Sequence, residues 1–217
     1  MQRFFVGITG ASGQPYAERL VRALCAAGFG VDLCVTASGT KVLRHELGVE
    51  LGSDPTPEDL ARWLGPECAR RVRAFAPERI EAPAASGTAL TRAVILCPCS
   101  MGTLARVAAG FSSNLVERAA DVALKEGRPL VVVPRETPLS QIHLENLLRL
   151  ARLGAIVLPA APGFYHHPRA VSDLVDHVVG KILDRLGVAQ AAGPRWSGAL
   201  EPPPEPGPEP RTHEVAP

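Results

Sequence analysis

The sequence predicts an α/β protein built on a parallel, doubly wound sheet, and three observations carry that reading. Short apolar runs alternate along the 217 residues with longer segments of helical period, the pattern of strand–helix–strand units. The first run ends in Val6-Gly7-Ile8-Thr9-Gly10-Ala11-Ser12-Gly13, where glycines interrupt the chain just before an amphipathic stretch over 16–27. Alanine, valine and leucine are plentiful while aromatics make up only 5%, which suits close packing of helices on a sheet buried on both faces.

The composition narrows the function classes. With 46% hydrophobic and 21% charged residues and a formal net charge of +1, nothing argues for a nucleic-acid or membrane-surface partner. No apolar run reaches the roughly 18 residues of a membrane span, and the N-terminus enters the first strand without an export signal. The cytoplasm is the expected location. Five cysteines, at 25, 34, 68, 97 and 99, are expected to be reduced and mostly buried. Cys97-Pro98-Cys99 lacks a second cysteine pair or a histidine cluster at zinc spacing, so no metal site is expected.

Strand one is assigned to residues 3–8 and helix one to 14–27, closed by Gly28 and Gly30. The turn between them has Gly-x-x-Gly-x-x-Gly spacing, not the Gly-x-Gly-x-x-Gly of dinucleotide sites. It reads either as a phosphate-binding helix N-terminus or as a plain glycine-rich turn. Residues 31–35 form strand two. Its end, Thr36-Ala37-Ser38-Gly39, offers hydroxyls where a nicotinamide dehydrogenase would carry an acidic residue. A short helix follows over 41–47, with Glu46 as a solvated carboxylate. Between 48 and 80 the pattern is broken; a helix over 57–64 and a strand over 72–75 are assigned, followed by a small-residue loop over 83–88.

Residues 93–97 make a buried strand that stops at Pro98, and Ser100-Met101-Gly102-Thr103 opens the next helix, a second candidate anion site. The helix over 114–126 is amphipathic. Its Arg118 and Lys125 read as a solvated stripe unless a binding partner meets them. Strand 130–133 leads into Arg135-Glu136-Thr137-Pro138 at its carboxyl end, where ligands of open α/β sheets bind. There a cation and a carboxylate suit holding a phosphate and moving a proton, or form a surface ion pair. A helix over 141–153, a strand over 155–158, an aromatic loop over 159–168 and a last helix over 171–186 complete the domain. The proline-rich stretch from 191 to 217 is assigned as a tail, disordered or draped on a neighbouring subunit.

Taken together, Gly10-Ala11-Ser12-Gly13, the segments 97–103 and 117–126, Val133-Pro134-Arg135-Glu136-Thr137-Pro138 and Pro162-Gly163-Phe164-Tyr165-His166 resemble the UbiX-type flavin prenyltransferases, in order and spacing, over about residues 3–190. The resemblance implies a flavodoxin-like, three-layer Rossmann sandwich binding FMN over 1–190, assembled as a homododecamer. It implies transfer of a dimethylallyl group from dimethylallyl phosphate to N5 and C6 of reduced FMN, without a metal. The prenylated FMN then passes to a UbiD-type decarboxylase. By position it implies Gly10, Ala11, Ser12, Thr36, Ser100, Met101, Gly102, Thr103 and Arg135 as flavin contacts. Tyr165, Lys181, Arg118 and Lys125 would hold the prenyl phosphate. Glu136 would protonate the departing phosphate or relay a proton in ring closure, with Lys125 also catalytic, and Ser12 and Glu46 would assist proton removal at the flavin.

Two positions depart from the family pattern: Lys181 stands where arginine is common, exchanging a bidentate fork for a point charge, and Thr36 stands where serine is common. Two rival readings remain. One is a flavin-dependent cysteine decarboxylase of the same fold, which would carry Pro-Ala-Met-Asn where this chain has Pro159-Ala160-Ala161-Pro162. The other is a non-catalytic flavin-binding module.

Overall fold

A computed structural model describes residues 1–52 and 54–189; the tail assigned to 191–217 lies outside the described residues. The central six-stranded sheet is parallel throughout, in the order β3-β2-β1-β4-β5-β6. Its strands are β1 (Arg3–Ile8), β2 (Gly30–Val35), β3 (Val72–Ala74), β4 (Thr91–Cys99), β5 (Leu130–Pro134) and β6 (Ile156–Val157). The helices are α1 (Gln14–Ala26), α2 (Ala37–Leu47), α3 (Pro57–Leu64), α4 (Pro66–Ala69), α5 (Met101–Ala108), α6 (Leu115–Lys125), α7 (Gln141–Arg152) and α8 (Val171–Arg185).

Side-chain alternation along β1 builds the three layers. Phe4, Val6 and Ile8 pack with Leu20, Leu24, Leu43, Val179 and Ile182, from α1, α2 and α8, on one face. Phe5 packs with Leu104, Leu115, Ala119 and Leu150, from α5, α6 and α7, on the other. Gly7 stands on that second face, where an added Cβ would come within 2.9 Å of both Leu96 and Val116. The missing side chain lets α6 press onto the sheet centre. The chain winds outward from β1 in both directions, so the crevice above the carboxyl ends of β1 and β4 is the topological switch point.

Four elements differ from the sequence expectation, α2 and β4 for a visible local reason. Helix α2 begins at Ala37 instead of residue 41, because Thr36 caps it: its Oγ1 accepts from the Gly39 amide at 3.1 Å. Strand β4 does not stop at Pro98 but continues to Cys99. The ladder to β5 shifts register between Leu96 and Cys99, which absorbs the missing proline amide, and the Pro98 carbonyl accepts from the Thr9 amide and hydroxyl at 3.2 and 2.9 Å. Strand β6 is two residues long, and α4 is an added turn.

Helix α7 buries only Leu150; Ile142, Leu144 and Leu148 are 67%, 53% and 50% exposed, with Leu139 and Leu153 beside them. A helix with this much outward leucine has an unpartnered apolar face.

Candidate functional site

The carboxyl ends of β1, β2, β4 and β5 each deliver residues to one crevice. At the end of β1 the chain turns through Gly13, which caps α1 with φ 108°, a left-handed conformation natural only to glycine. Gly10 is required for closeness: a Cβ there would lie 2.6 Å from Ser38 Cβ, so the turn and the first turn of α2 touch through backbone. Gln14 is buried beneath, its Nε2 donating to the carbonyls of Thr9 and Ala11 at 3.2 and 2.9 Å. Thr9 couples this turn to β4, since its Oγ1 also accepts from the Ser100 amide at 2.7 Å.

Glu46 is not the solvated carboxylate that its sequence context suggested. Its Oε2 accepts from the amides of Gly13 and Gln14 at 3.0 and 2.8 Å, and the Ser12 side chain is close enough to help lower its pKa. Burial pushes its pKa up, but Ser12, the hydrogen bonds from Gln14 and Gly13 and the Arg135 charge outweigh this and hold it below the ordinary glutamate value. One consequence corrects the expectation for the glycine turn. The α1 N-terminus is already occupied by a carboxylate of the chain itself, which leaves the N-termini of α2 and α5 to meet a phosphate. At α5 the Ser100 Oγ accepts from the Thr103 amide at 3.4 Å and lies 3.1 Å from Thr103 Oγ1.

Arg135, just past β5, donates from Nε to the Ser12 carbonyl at 3.3 Å, so it leans across the glycine turn. Glu136 beside it is exposed, its Oε1 accepting from the Thr137 amide at 3.0 Å. The loop after β6 carries Tyr165, and its Oη lies 3.1 Å from Nε2 of His177 on α8. One turn along α8, Lys181 lines with His177 a cavity of about 620 Å³, walled by Ile156, Leu158 and Pro159.

Gly10, Ala11, Ser12, Thr36, Ser100, Met101, Gly102, Thr103, Arg135 and Glu136 therefore stand at or just past adjoining strand ends, and Glu46 joins them from the last turn of α2. Tyr165 and Lys181 stand at the open edge beyond β6. Arg118 and Lys125 do not join them within one subunit. Helix α6 leads into the start of β5, so its last turn lies toward the amino ends of the strands. There Lys125 pairs with Glu126 at 2.6 Å; Arg118, in the first turn of the helix, is engaged instead by Asp121 and the Ala85 carbonyl at 3.0 and 3.2 Å. Cys97 and Cys99 are buried, and among the described residues no group of three or more His, Cys, Asp or Glu is placed to hold a metal. Sequence reasoning missed Thr9, Gln14 and His177, which owe their place to contacts across the fold.

The donor set fits a flavin mononucleotide. Two capped helix N-termini and the Arg135 guanidinium suit its phosphate, and the side-chain-poor surface of Gly10, Ala11 and Ser12 admits a flat ring. The flavoprotein family model matches residues 1–183. The chain belongs to the flavoprotein family. Within it the chain stands with the UbiX flavin prenyltransferases. The flavin prenyltransferase UbiX of Pseudomonas aeruginosa is 48% identical over 198 residues, covering 90% of this chain and 94% of that one. Among solved structures, the dodecameric FMN-dependent UbiX-like decarboxylase from Escherichia coli O157:H7 superposes with a TM-score of 0.81. It is 39% identical and covers 91% of this chain and all (100%) of that one. AnUbiX, solved in complex with FMN and dimethylallyl pyrophosphate, also gives a TM-score of 0.81, at 33% identity, covering 91% and 98% of the two chains. The UbiX flavodoxin-like sandwich is therefore the fold of this chain, and no helix among the described residues is long and apolar enough to cross a membrane.

Proposed function

We infer that this chain is a flavin prenyltransferase that joins a dimethylallyl group from dimethylallyl phosphate to N5 and C6 of reduced FMN. The observation that carries the inference is the juxtaposition of Arg135 and Glu136 with the Ser12–Glu46 pair across the glycine turn. It sets a cation with a proton donor on one side of the crevice and a hydrogen-bonded carboxylate on the other.

An allylic phosphate is a poor leaving group until its charge is met by cations and a proton. Tyr165 and Lys181 hold that phosphate, Arg135 meets the charge that grows on it, and Glu136 gives it a proton. Reduced FMN, when bound, supplies the electron-rich ring that the prenyl carbon joins. Ser12 takes the proton released at the ring and relays it to Glu46, whose depressed pKa keeps it ionised and ready to accept at neutral pH. Gly10, Ala11, Thr36, Met101 and Gly102, with Ser100 and Thr103, place the flavin without taking part in proton movement.

The arrangement also accounts for Arg118 and Lys125. In a homododecamer their helix from a neighbouring copy meets the open edge where Tyr165 and Lys181 stand, and the prenyl phosphate is then clamped by two subunits. The outward leucines of α7 supply apolar surface for such contacts. The product is prenylated FMN, delivered in the cytoplasm to a UbiD-type decarboxylase.

The test is mass spectrometry of the small molecules released after anaerobic incubation of the purified protein with reduced FMN and dimethylallyl phosphate. A flavin heavier by one five-carbon prenyl unit is the expected result. Unmodified FMN from folded, flavin-loaded protein would turn the reading toward a flavin-dependent cysteine decarboxylase or a flavin carrier.

A further inference from the structure

His177 has no part in the chemistry described above, yet its ring is held at both nitrogens. It stands in the second turn of α8 and reaches up under the loop that follows β6. The Gly163 backbone amide points at Nδ1 at 3.2 Å. An amide N–H can only donate, so Nδ1 carries the lone pair. A neutral imidazole with an accepting Nδ1 has its proton on Nε2. That nitrogen lies 3.1 Å from Tyr165 Oη, so the ring donates and the phenol oxygen accepts. A phenol that accepts from the histidine keeps its own proton to give to another acceptor.

The ring is also fixed in orientation. His166 stacks on it with centroids 5.1 Å apart and an interplanar angle of 13°, and Tyr165 meets it edge-on at 5.6 Å and 82°. Both nitrogens of His166 are buried and make no hydrogen bond, so that ring acts as a flat plate and not as a competing polar partner.

We propose that His177 is the positioning residue for Tyr165: locked as the Nε2–H tautomer by Gly163, it fixes the direction in which the phenol offers its proton to the prenyl phosphate. The proposal rests on the assignment of Tyr165 and Lys181 to that phosphate. The groups around the ring favour the neutral state the geometry demands. Burial comes first, followed by His166 from the loop and Lys181 one turn along α8, and all three hold the His177 pKa below its ordinary value of 6.5. Among the other charged groups nearby, Arg185 lines the same cavity, and Asp176, the next residue on α8, is turned to Arg19 of α1. A charged ring would donate from both nitrogens and lose the Gly163 contact, and with it the hold that orients the ring against Tyr165.

His177→Phe keeps an aromatic ring and removes both hydrogen bonds. With bound flavin and melting temperature used to confirm folding, its KM for dimethylallyl phosphate should rise about five- to tenfold, the size of one lost directed hydrogen bond, while kcat stays within about twofold. In a Tyr165→Phe background the same change should add nothing. The wild-type KM should climb on the acid side of neutrality, and His177→Phe should lack that climb. An unchanged KM, or an effect that simply adds to that of Tyr165→Phe, would overturn the proposal.

A second measurement stands apart from turnover. Nitrogen-15 NMR of histidine-labelled protein should show His177 as the Nε2–H tautomer at neutral pH, and an Nδ1–H tautomer or an imidazolium would defeat the assignment. Were wild-type protein to make no prenylated flavin, the reading of the reaction would fail while this tautomer result still judged the His177–Tyr165 pair.

Discussion

The carboxylate of Glu46, near the end of α2, stands 2.8 Å from the amide nitrogen of Gln14, at the start of α1. Two crossover helices are thereby joined end to end, and the charge that caps one of them is the charge to which the proposed mechanism sends a proton.

Glu46→Gln should lower stability by about 1 kcal/mol, the usual worth of a negative charge at a helix N-terminus, measured by urea unfolding at fixed protein concentration. The pH dependence has a definite sign. The folded-state pKa of Glu46 is depressed below its ordinary value of 4.5, so its stabilisation is present above that value and fades as pH falls through the lower, folded one. The variant should lose less stability than wild type over that acid range, and equal losses would remove Glu46 from the linkage.

Glu136→Gln should retain FMN, because Glu136 is exposed at the rim and its recorded hydrogen bond is to the neighbouring Thr137 amide. Turnover should drop by roughly 10²–10⁴, the range for loss of a general acid. Wild-type turnover in single-cycle kinetics would take Glu136 out of the mechanism.

Gly10→Ala places a methyl 2.6 Å from Ser38 Cβ, a short side chain with no flexible end to swing aside. The first turn of α2 must shift, at about 1–3 kcal/mol, and with it the Thr36 cap. Flavin fluorescence titration should show weaker FMN binding; unchanged affinity would mean that the α2 N-terminus is not a flavin contact.

Glu117 on α6 is completely buried (0% exposed); its carboxylate is held by Arg106 and the Ser113 amide, while its backbone amide donates to Asn114 Oδ1 at 3.0 Å. Arg106→Met strips its cation and should cost about 3–5 kcal/mol, read as a lower midpoint in thermal or urea unfolding. The double change Arg106→Met with Glu117→Met should recover much of that loss, since two well-packed apolar side chains leave no buried charge behind.

The fold was legible in the sequence because its strands are nearly continuous apolar runs, which local pattern alone reveals. The strand-end position of Arg135 and Glu136 was legible for the same reason. Glu46 was not: Gly13 and Gln14 lie more than thirty residues away, and no local pattern says which solvated-looking carboxylate will fold back onto a turn. The same holds for His177, whose partners Gly163 and Tyr165 come from a loop with no period of its own. Pro98 misled because a proline ordinarily ends a strand, whereas here a register shift beside β5 makes room for it. The separation of Lys125 from Tyr165 is a matter of crossover direction, and the bond from Arg118 to the Ala85 carbonyl is a contact across the fold; spacing along one helix discloses neither.

The exposed leucine and isoleucine row of α7 has a kinetic corollary. If the prenyl phosphate is clamped by two copies as proposed above, a subunit that leaves this surface to water is neither fully stable nor fully competent alone. Specific activity should then fall on dilution more steeply than the enzyme's own concentration, and it should recover when the protein is reconcentrated. Supply of the modified flavin would respond to the abundance of this chain as a threshold, with little output until enough copies have met.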